Sequence, residues 1–199
     1  MARRVFFSFH YQRDVTRANV VKNSWMTKED REDAGFFDSS AFETFQRQGD
    51  EALKRFLNNQ MTNSSVVCVL IGNQTAYRRW VRYEILRGFL DGRGIMGIWI
   101  YRIQNFNRQE DTQGPNPLDQ LGIEIKDDRA YFTEYDASTS KWIWARDIGS
   151  MSTSHIKYDL GGRSILNLGQ LFRTYAWFQG NGYQNLGTWI DSAARKAGR

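Results

Sequence analysis

Cysteine, histidine and proline are nearly missing from this chain: its 199 residues include 1 Cys, 2 His and 2 Pro. The lone Cys68 excludes an intramolecular disulfide framework and a cysteine-built zinc site, and it fits a reducing cytoplasm. His10 and His155 are too few for a histidine-rich metal centre, so no metal is expected. Long apolar runs are missing too. The longest, Ser64 to Gly72 and Ile95 to Tyr101, fall far short of the roughly 20 residues that span a bilayer. The basic start, Met1-Ala2-Arg3-Arg4, leads only into Val5 to Phe9, which is interrupted by Ser8 and is too short for a signal-peptide core. A cytoplasmic protein with no membrane partner is expected. Its chemistry must lean on carboxylates, hydroxyls, amides and aromatic rings.

Charge of one sign is in modest excess. The 27 Lys+Arg against 22 Asp+Glu leave +5. This excess is dense only at Arg78-Arg79-x-x-Arg82 and in the tail from Arg195 to Arg199. A dedicated nucleic-acid binder concentrates its charge more than that, so nucleic acid is not an expected partner. With 41% apolar and 15% aromatic residues the chain can bury a core of normal size. No internal repeat, low-complexity tract or linker divides it. A single domain over 1–199 is the simplest account.

The first hundred residues alternate between strand and helix patterns. Arg3 to Phe9 reads as a buried strand, and a helix follows from about Asp14 to Met26. Gly35-Phe36-Phe37-Asp38 is a short strand or turn. Ser39 or Ser40 then caps a helix with Ser40-x-x-Glu43 box spacing, whose apolar positions run from Phe42 to Leu57. Ser64 to Ile71 is a continuous apolar strand of the kind buried on both faces of a parallel sheet. A helix from about Thr75 to Leu90 and a strand from Ile95 to Tyr101 complete the series. Such alternation predicts an α/β fold with a doubly wound, mostly parallel sheet and helices on both faces. Ligands then gather beyond the carboxyl ends of the strands, after Phe9, Asp38, Ile71 and Tyr101. Further on, Gly114-Pro115-Asn116-Pro117 marks a rigid loop and Ala130 to Tyr135 a strand. Leu168 to Phe178 and Tyr183 to Ala194 read as helices. The expected core is about 3–135, with a C-terminal helical elaboration over about 140–199.

Two motif matches carry no chemistry. Gly92-Arg93-Gly94-Ile95-Met96-Gly97 fits G-x-G-x-x-G, but it follows a helix and enters a strand, the reverse of a dinucleotide fingerprint. Gly92 is better read as a helix C-cap. Asn63-Ser64-Ser65 and Asn73-Gln74-Thr75 fit the glycosylation sequon, yet without a secretory route they are turn chemistry.

The segment around residue 84 is the informative one. At ~100° per residue, Tyr77, Trp80, Val81, Ile85, Gly88 and Phe89 share a helix face, while Leu86 and Arg79 point elsewhere. Glu84 falls inside that apolar stripe, where a carboxylate is expensive unless it is partnered or opens into a cleft. Geometry leaves two readings: an edge residue paired with Arg87 or Arg78, or a carboxylate in an aromatic-walled pocket. His10, at the end of the first strand, is expected to be a hydrogen-bonded structural residue. Cys68 is expected to be a small core side chain.

Trp80-Val81-Arg82-Tyr83-Glu84-Ile85 resembles the W-x-x-x-E segment that bears the catalytic glutamate of NAD-consuming TIR domains. Val5-Phe6-Phe7-Ser8-Phe9 is similar to the first TIR sequence box, without the acidic residue often found early in it. Asp14 stands about one residue later than the acidic residue that TIR domains carry after that box. Four segments in order resemble the TIR-like proteins of the bacterial Thoeris anti-phage system. They are Arg4 to Gln12, Val67 to Gly72, Arg78 to Ile85, and Gly114-Pro115-Asn116-Pro117 with Leu121-Gly122. The aromatic-rich stretch around Tyr175 to Trp189 is compatible.

The resemblance implies a flavodoxin-like TIR fold and an enzyme that cleaves NAD+ as substrate, with no other cofactor, to make a cyclic ADP-ribose-type messenger for a separate effector protein. It leaves room for a phage-derived trigger and a homo-oligomer. It implies Glu84 as the catalytic carboxylate, with Phe7, Ser8, Phe9, Tyr11, Asp38 and Trp80 as substrate-binding candidates. One carboxylate near the ribose can stabilise the oxocarbenium character that builds as the nicotinamide bond breaks, much as in glycoside cleavage. Two other readings stay open: a non-catalytic TIR-like interaction module that signals by assembly, and a basic nucleic-acid-associated α/β protein.

Overall fold

The computed structural model describes residues 3–27, 31–33 and 39–199. Strands β1 (Arg3–Phe9), β2 (Arg31–Asp33), β3 (Val66–Ile71), β4 (Gly94–Trp99) and β10 (Thr174–Ala176) form one sheet, in the order β10-β4-β3-β1-β2. Every pairing in it is parallel. β3 has all six residues buried, as a strand covered on both faces must. Helices α1 (Tyr11–Met26) and α5 (Gly182–Lys196) cover one face of the sheet. Helices α2 (Ser39–Arg47), α3 (Asp50–Met61) and α4 (Arg79–Leu90) lie on the other side. This is the doubly wound α/β arrangement expected from the strand–helix alternation. No helix among the described residues is long and apolar enough to cross a membrane.

Of a second sheet, only the strand Ala130 to Tyr135 was legible in the sequence. Strands β5 (Leu121–Lys126), β6 (Arg129–Asp136), β7 (Lys141–Trp144) and β9 (Ile165–Asn167) run in the antiparallel order β7-β6-β5-β9, and β8 (Met151–Ser152) pairs with β6. Its inner side chains, Leu121, Ile123, Ala130, Phe132 and Leu166, join the same core as Phe89 of α4. The Phe89 and Phe132 rings meet edge to face at 5.7 Å. α4 is thus pressed between two sheets. Leu86, expected to point away from the apolar stripe, is accordingly buried at 2% exposure. A helix enclosed by two layers needs apolar residues on both sides.

Several expected boundaries change. The stretch from Ser39 to Leu57 is two helices, because Gly49 adopts φ 101°, a conformation that opens the chain between α2 and α3. Residues 75–90 are also not one helix. A single 3-10 turn spans Thr75–Tyr77, and Arg78 is extended at φ −90°, ψ 113° before α4 begins. Tyr77 therefore leaves the buried face and is 53% exposed.

Of the two C-terminal stretches read as helices, Tyr183 to Ala194 is helical within α5, whereas Leu168 to Phe178 is not. Leu168, Leu171, Phe172 and Tyr175 have helical spacing, yet only Leu168–Gln170 forms a 3-10 turn. Thr174–Ala176 is β10, which takes the open edge of β4. The side chains then part: Leu168, Leu171 and Phe172 enter the core on the α4 side. Tyr175 lies on the other side, stacked on Trp189 at 4.4 Å. An unpaired sheet edge offers a run of backbone hydrogen bonds, and that outweighed a weak helical pattern. The parallel sheet consequently draws on residues well beyond 135. Gly92, at φ +60°, ends α4 as a C-cap glycine does, and β4 starts at Gly94.

Candidate functional site

The chain leaves β1 toward β2 on one side and later places β3 on the other side of β1. Segments leaving the carboxyl ends of β1 and β3 therefore diverge, and a crevice opens between them at this switch point. A cavity of about 420 Å³ occupies it. Phe9, His10, Tyr11 and Gln12 line it from the end of β1 and start of α1. Tyr77, Arg78, Arg79, Trp80, Val81 and Glu84 line it from the segment after β3. Phe42, Glu43, Gln46 and Asp50, from α2 and α3, complete the wall.

Glu84 sits at the inner end of this pocket with 3% exposure. Its carboxyl accepts a hydrogen bond from the Ser8 hydroxyl. Neither Arg78 nor Arg87 pairs with it: Arg87 bonds Asp91 at 2.7 Å, and Arg78 donates to the Gln74 side chain at 2.8 Å. The edge-residue reading therefore gives way to a buried carboxyl in a pocket. Burial pushes the Glu84 pKa up from 4.5 to about 8, against the weaker opposing pull of the Ser8 bond. At neutral pH the protonated carboxyl is therefore the favoured form.

α4 can bring that carboxyl so close to β1 because of Gly88, one turn along. A Cβ on Gly88 would stand 2.7 Å from Val67 Cγ2, so the helix packs closer to the sheet than an alanine would allow. Trp80 meets Tyr83 edge-on at 5.8 Å, and the Arg79 guanidinium lies 4.6 Å from the Trp80 ring centre. Phe9 and Tyr11 face each other at 5.7 Å on the opposite wall.

Of the arginines around α4, Arg79 bonds Asp147 and Asp50 at 2.7 and 2.6 Å. Arg82 bonds Glu134 at 3.3 Å. Arg78 lines the cavity without a carboxylate partner among the described residues, and its Nε is buried with no hydrogen bond.

The candidate residues divide. Phe9, Tyr11, Trp80 and Glu84 line one cavity. Ser8 is fully buried beneath it and holds Glu84 rather than facing the open space. Phe7 is a correction: at 1% exposure it packs in the α1–α5 layer, because strand alternation turns it away from Ser8. Asp38 lies outside the described residues. Asp14 is fully buried and does not line the cavity. Its Oδ1 meets Arg17 at 3.3 Å, and burial lifts its pKa to about 6.

His10 departs from expectation as well, since it lines the pocket and its Nδ1 has no hydrogen-bond partner. Cys68 is a fully buried core thiol, as expected. Sequence reasoning missed the α2–α3 wall and did not separate Arg78 from the other arginines that flank α4. Nothing in local spacing signals which loop will face residue 84 across a crevice. Only the basic flank of the W-x-x-x-E segment hinted at Arg78.

Comparison with known proteins meets this geometry at the same residues. The family described as "Thoeris protein ThsB, TIR-like domain" matches residues 6–105, the span that holds the carboxyl end of β1, β2 through β4 and the whole of α4. A protein of Bacillus cereus (strain MSX-D12), named "Putative cyclic ADP-D-ribose synthase ThsB1", is 38% identical over 192 residues. The match covers 96% of this chain and 100% of that relative. With a parallel sheet, a crevice at its switch point and a match running nearly end to end, the chain belongs to the Thoeris ThsB family of TIR-like proteins.

Proposed function

We propose that this chain is an NAD+-cleaving enzyme of anti-phage defence that forms a cyclic ADP-ribose-type messenger, and that Glu84 carries the chemistry. The observation that supports this most is a buried carboxyl at the inner end of an aromatic-walled pocket, bonded to the Ser8 hydroxyl and, among the described residues, to no cation. The similarity to a protein named as a cyclic ADP-D-ribose synthase points the same way.

In this reading NAD+ is substrate, not redox cofactor. The nicotinamide ring enters between the walls of Phe9, Tyr11 and Trp80, and the adjoining ribose meets Glu84. The bond from ribose C1′ to the ring nitrogen breaks, and its electron pair leaves with nicotinamide, which departs neutral. Positive charge then spreads over C1′ and the ring oxygen of the sugar, where an ionised Glu84 stabilises it. A nucleophilic atom at the other end of the same molecule attacks C1′ and loses a proton, closing the ring. Nicotinamide is a good leaving group, so protonating it is unnecessary. Arg78, which has no carboxylate partner among the described residues, suits the pyrophosphate. The product reaches a separate effector protein, and the enzyme waits for a phage-derived trigger.

The test is nicotinamide release from NAD+ by purified protein and by extracts of phage-infected cells, with mass analysis of the nucleotide formed. Wild type is expected to yield nicotinamide and a cyclic product, and Glu84→Gln neither. Phage protection that survives intact in Glu84→Gln removes the enzymatic reading and leaves an interaction module.

A further inference from the structure

His10 is 8% exposed, and its two ring nitrogens stand in different surroundings. Nδ1 is sealed from solvent with no hydrogen-bond partner. Nε2 is not among the sealed atoms, so the exposure that remains on this pocket-lining ring includes its Nε2 side. A buried N–H without an acceptor is rarer in proteins than an acceptor without a donor. The sealed Nδ1 is therefore the bare nitrogen, and Nε2 carries the proton. Burial first, then Arg78 and Arg13, drive the ring's pKa down to about 4, so it stays neutral under ordinary conditions. The pocket thus presents an uncharged N–H donor with no acceptor among the described residues.

Its position follows from β1. Alternation puts Ser8 and His10 on the same face of the strand, and His10 continues it in extended conformation at φ −76°, ψ 95°. Two residues advance the chain by ~7 Å. His10 accordingly stands one such step along the chain from Ser8, which holds Glu84, and it lines the same pocket as Glu84, Phe9 and Tyr11. A ribose hydroxyl and a substituent on the base attached to that ribose are separated by a comparable step.

We propose that His10 Nε2–H donates to the carboxamide oxygen of nicotinamide, so that His10 reads the leaving base while Glu84 faces the ribose. This rests on the NAD+-cleaving reading above. The chemistry favours the carboxamide over other acceptors. A phosphate would call for a cation, which Arg78 supplies. A protonated imidazole would repel the pyridinium ring, whereas a neutral one tolerates it and still donates to a neutral carbonyl. The two aromatic walls suit a flat heterocycle carrying one polar substituent.

The experiment uses full-length protein carrying Glu84→Gln, so that the dinucleotide is not consumed. Binding of NAD+ and of its analogue with an unsubstituted pyridinium ring is measured by titration calorimetry, with His10 present and in the H10F and H10Q variants. With His10 present, losing the carboxamide is expected to weaken binding about 3- to 10-fold, the worth of one neutral hydrogen bond. In H10F the two ligands should bind alike. H10Q, which keeps an N–H donor near the same place, should recover part of the discrimination. Equal discrimination in H10F and in the His10 protein overturns the assignment while leaving the cleavage reading intact. Failure of NAD+ to bind any of these proteins removes both.

Discussion

The Ser8 hydroxyl on the first strand donates to the Glu84 carboxyl on the helix after the third strand, across 76 residues of sequence. This contact ties the two sides of the switch-point crevice together at its floor. It also explains how a carboxyl survives inside an apolar layer: one hydrogen bond and a proton, in place of an ion pair.

Glu84→Gln should stabilise the fold while removing activity. The native carboxyl titrates near 8 and the unfolded one near its ordinary 4.5, so the native state holds the extra proton between those values. Wild-type stability must then fall as pH rises from about 4.5 to about 8, by on the order of a few kcal/mol, and level off above. The glutamine variant lacks that fall. Urea unfolding of both proteins at pH 5, 7 and 9 checks this. Equal pH dependence in the two would show that Glu84 is not the buried acid.

Binding of NAD+ should expel a proton. A pyridinium ring beside Glu84 favours the carboxylate, lowering a pKa that starts near 8. Calorimetry at pH 7 in buffers of different ionisation enthalpy should report protons released to buffer. The release should vanish in Glu84→Gln and fade well above pH 8 in wild type.

Gly88→Ala should push α4 off the sheet. Its new methyl would meet Val67 Cγ2 at 2.7 Å, an overpacking that costs about 1–3 kcal/mol and displaces Glu84 one turn away. In a Val67→Ala background the same change should cost less, because the obstructing methyl groups are gone. Additive free energies in this double-mutant cycle would show that the close approach carries no energy.

Cys68 should be silent in the folded protein. It is fully buried, and burial drives its thiol pKa far up, so almost no thiolate forms and reagents have no path to it. Labelling by a thiol reagent should follow the denaturant unfolding curve. Fast labelling of native protein would place this strand near solvent.

Much of the parallel half was legible because its signals are local. The apolar run ending at Ile71, buried throughout in β3, could only be a strand covered on both faces. Glu84 was conspicuous because one carboxylate interrupted a stripe of helical period. Of the second sheet only β6 was legible, as the strand Ala130 to Tyr135: β7, β8 and β9 have 4, 2 and 3 residues, and β5 follows no strict alternation of buried and exposed positions. Leu168 to Tyr175 was misread because spacing reports where side chains recur, and cannot weigh a vacant sheet edge many residues away.

The near-absence of cysteine and histidine narrowed any chemistry to carboxylates, hydroxyls, amides and aromatic rings, and a carboxylate set in an apolar helical stripe marked Glu84 as a candidate while leaving an edge position open. Tertiary structure alone decided the rest. It settled that Ser8 rather than an arginine meets this carboxyl, that Phe7 faces away from it, and that His10 lines the same pocket with an unpartnered ring. Those outcomes depend on the strand order that brings the ends of β1 and β3 together and on a glycine that lets α4 approach the sheet. Such long-range placement is fixed by burial and backbone pairing across the whole molecule, and no local spacing encodes it.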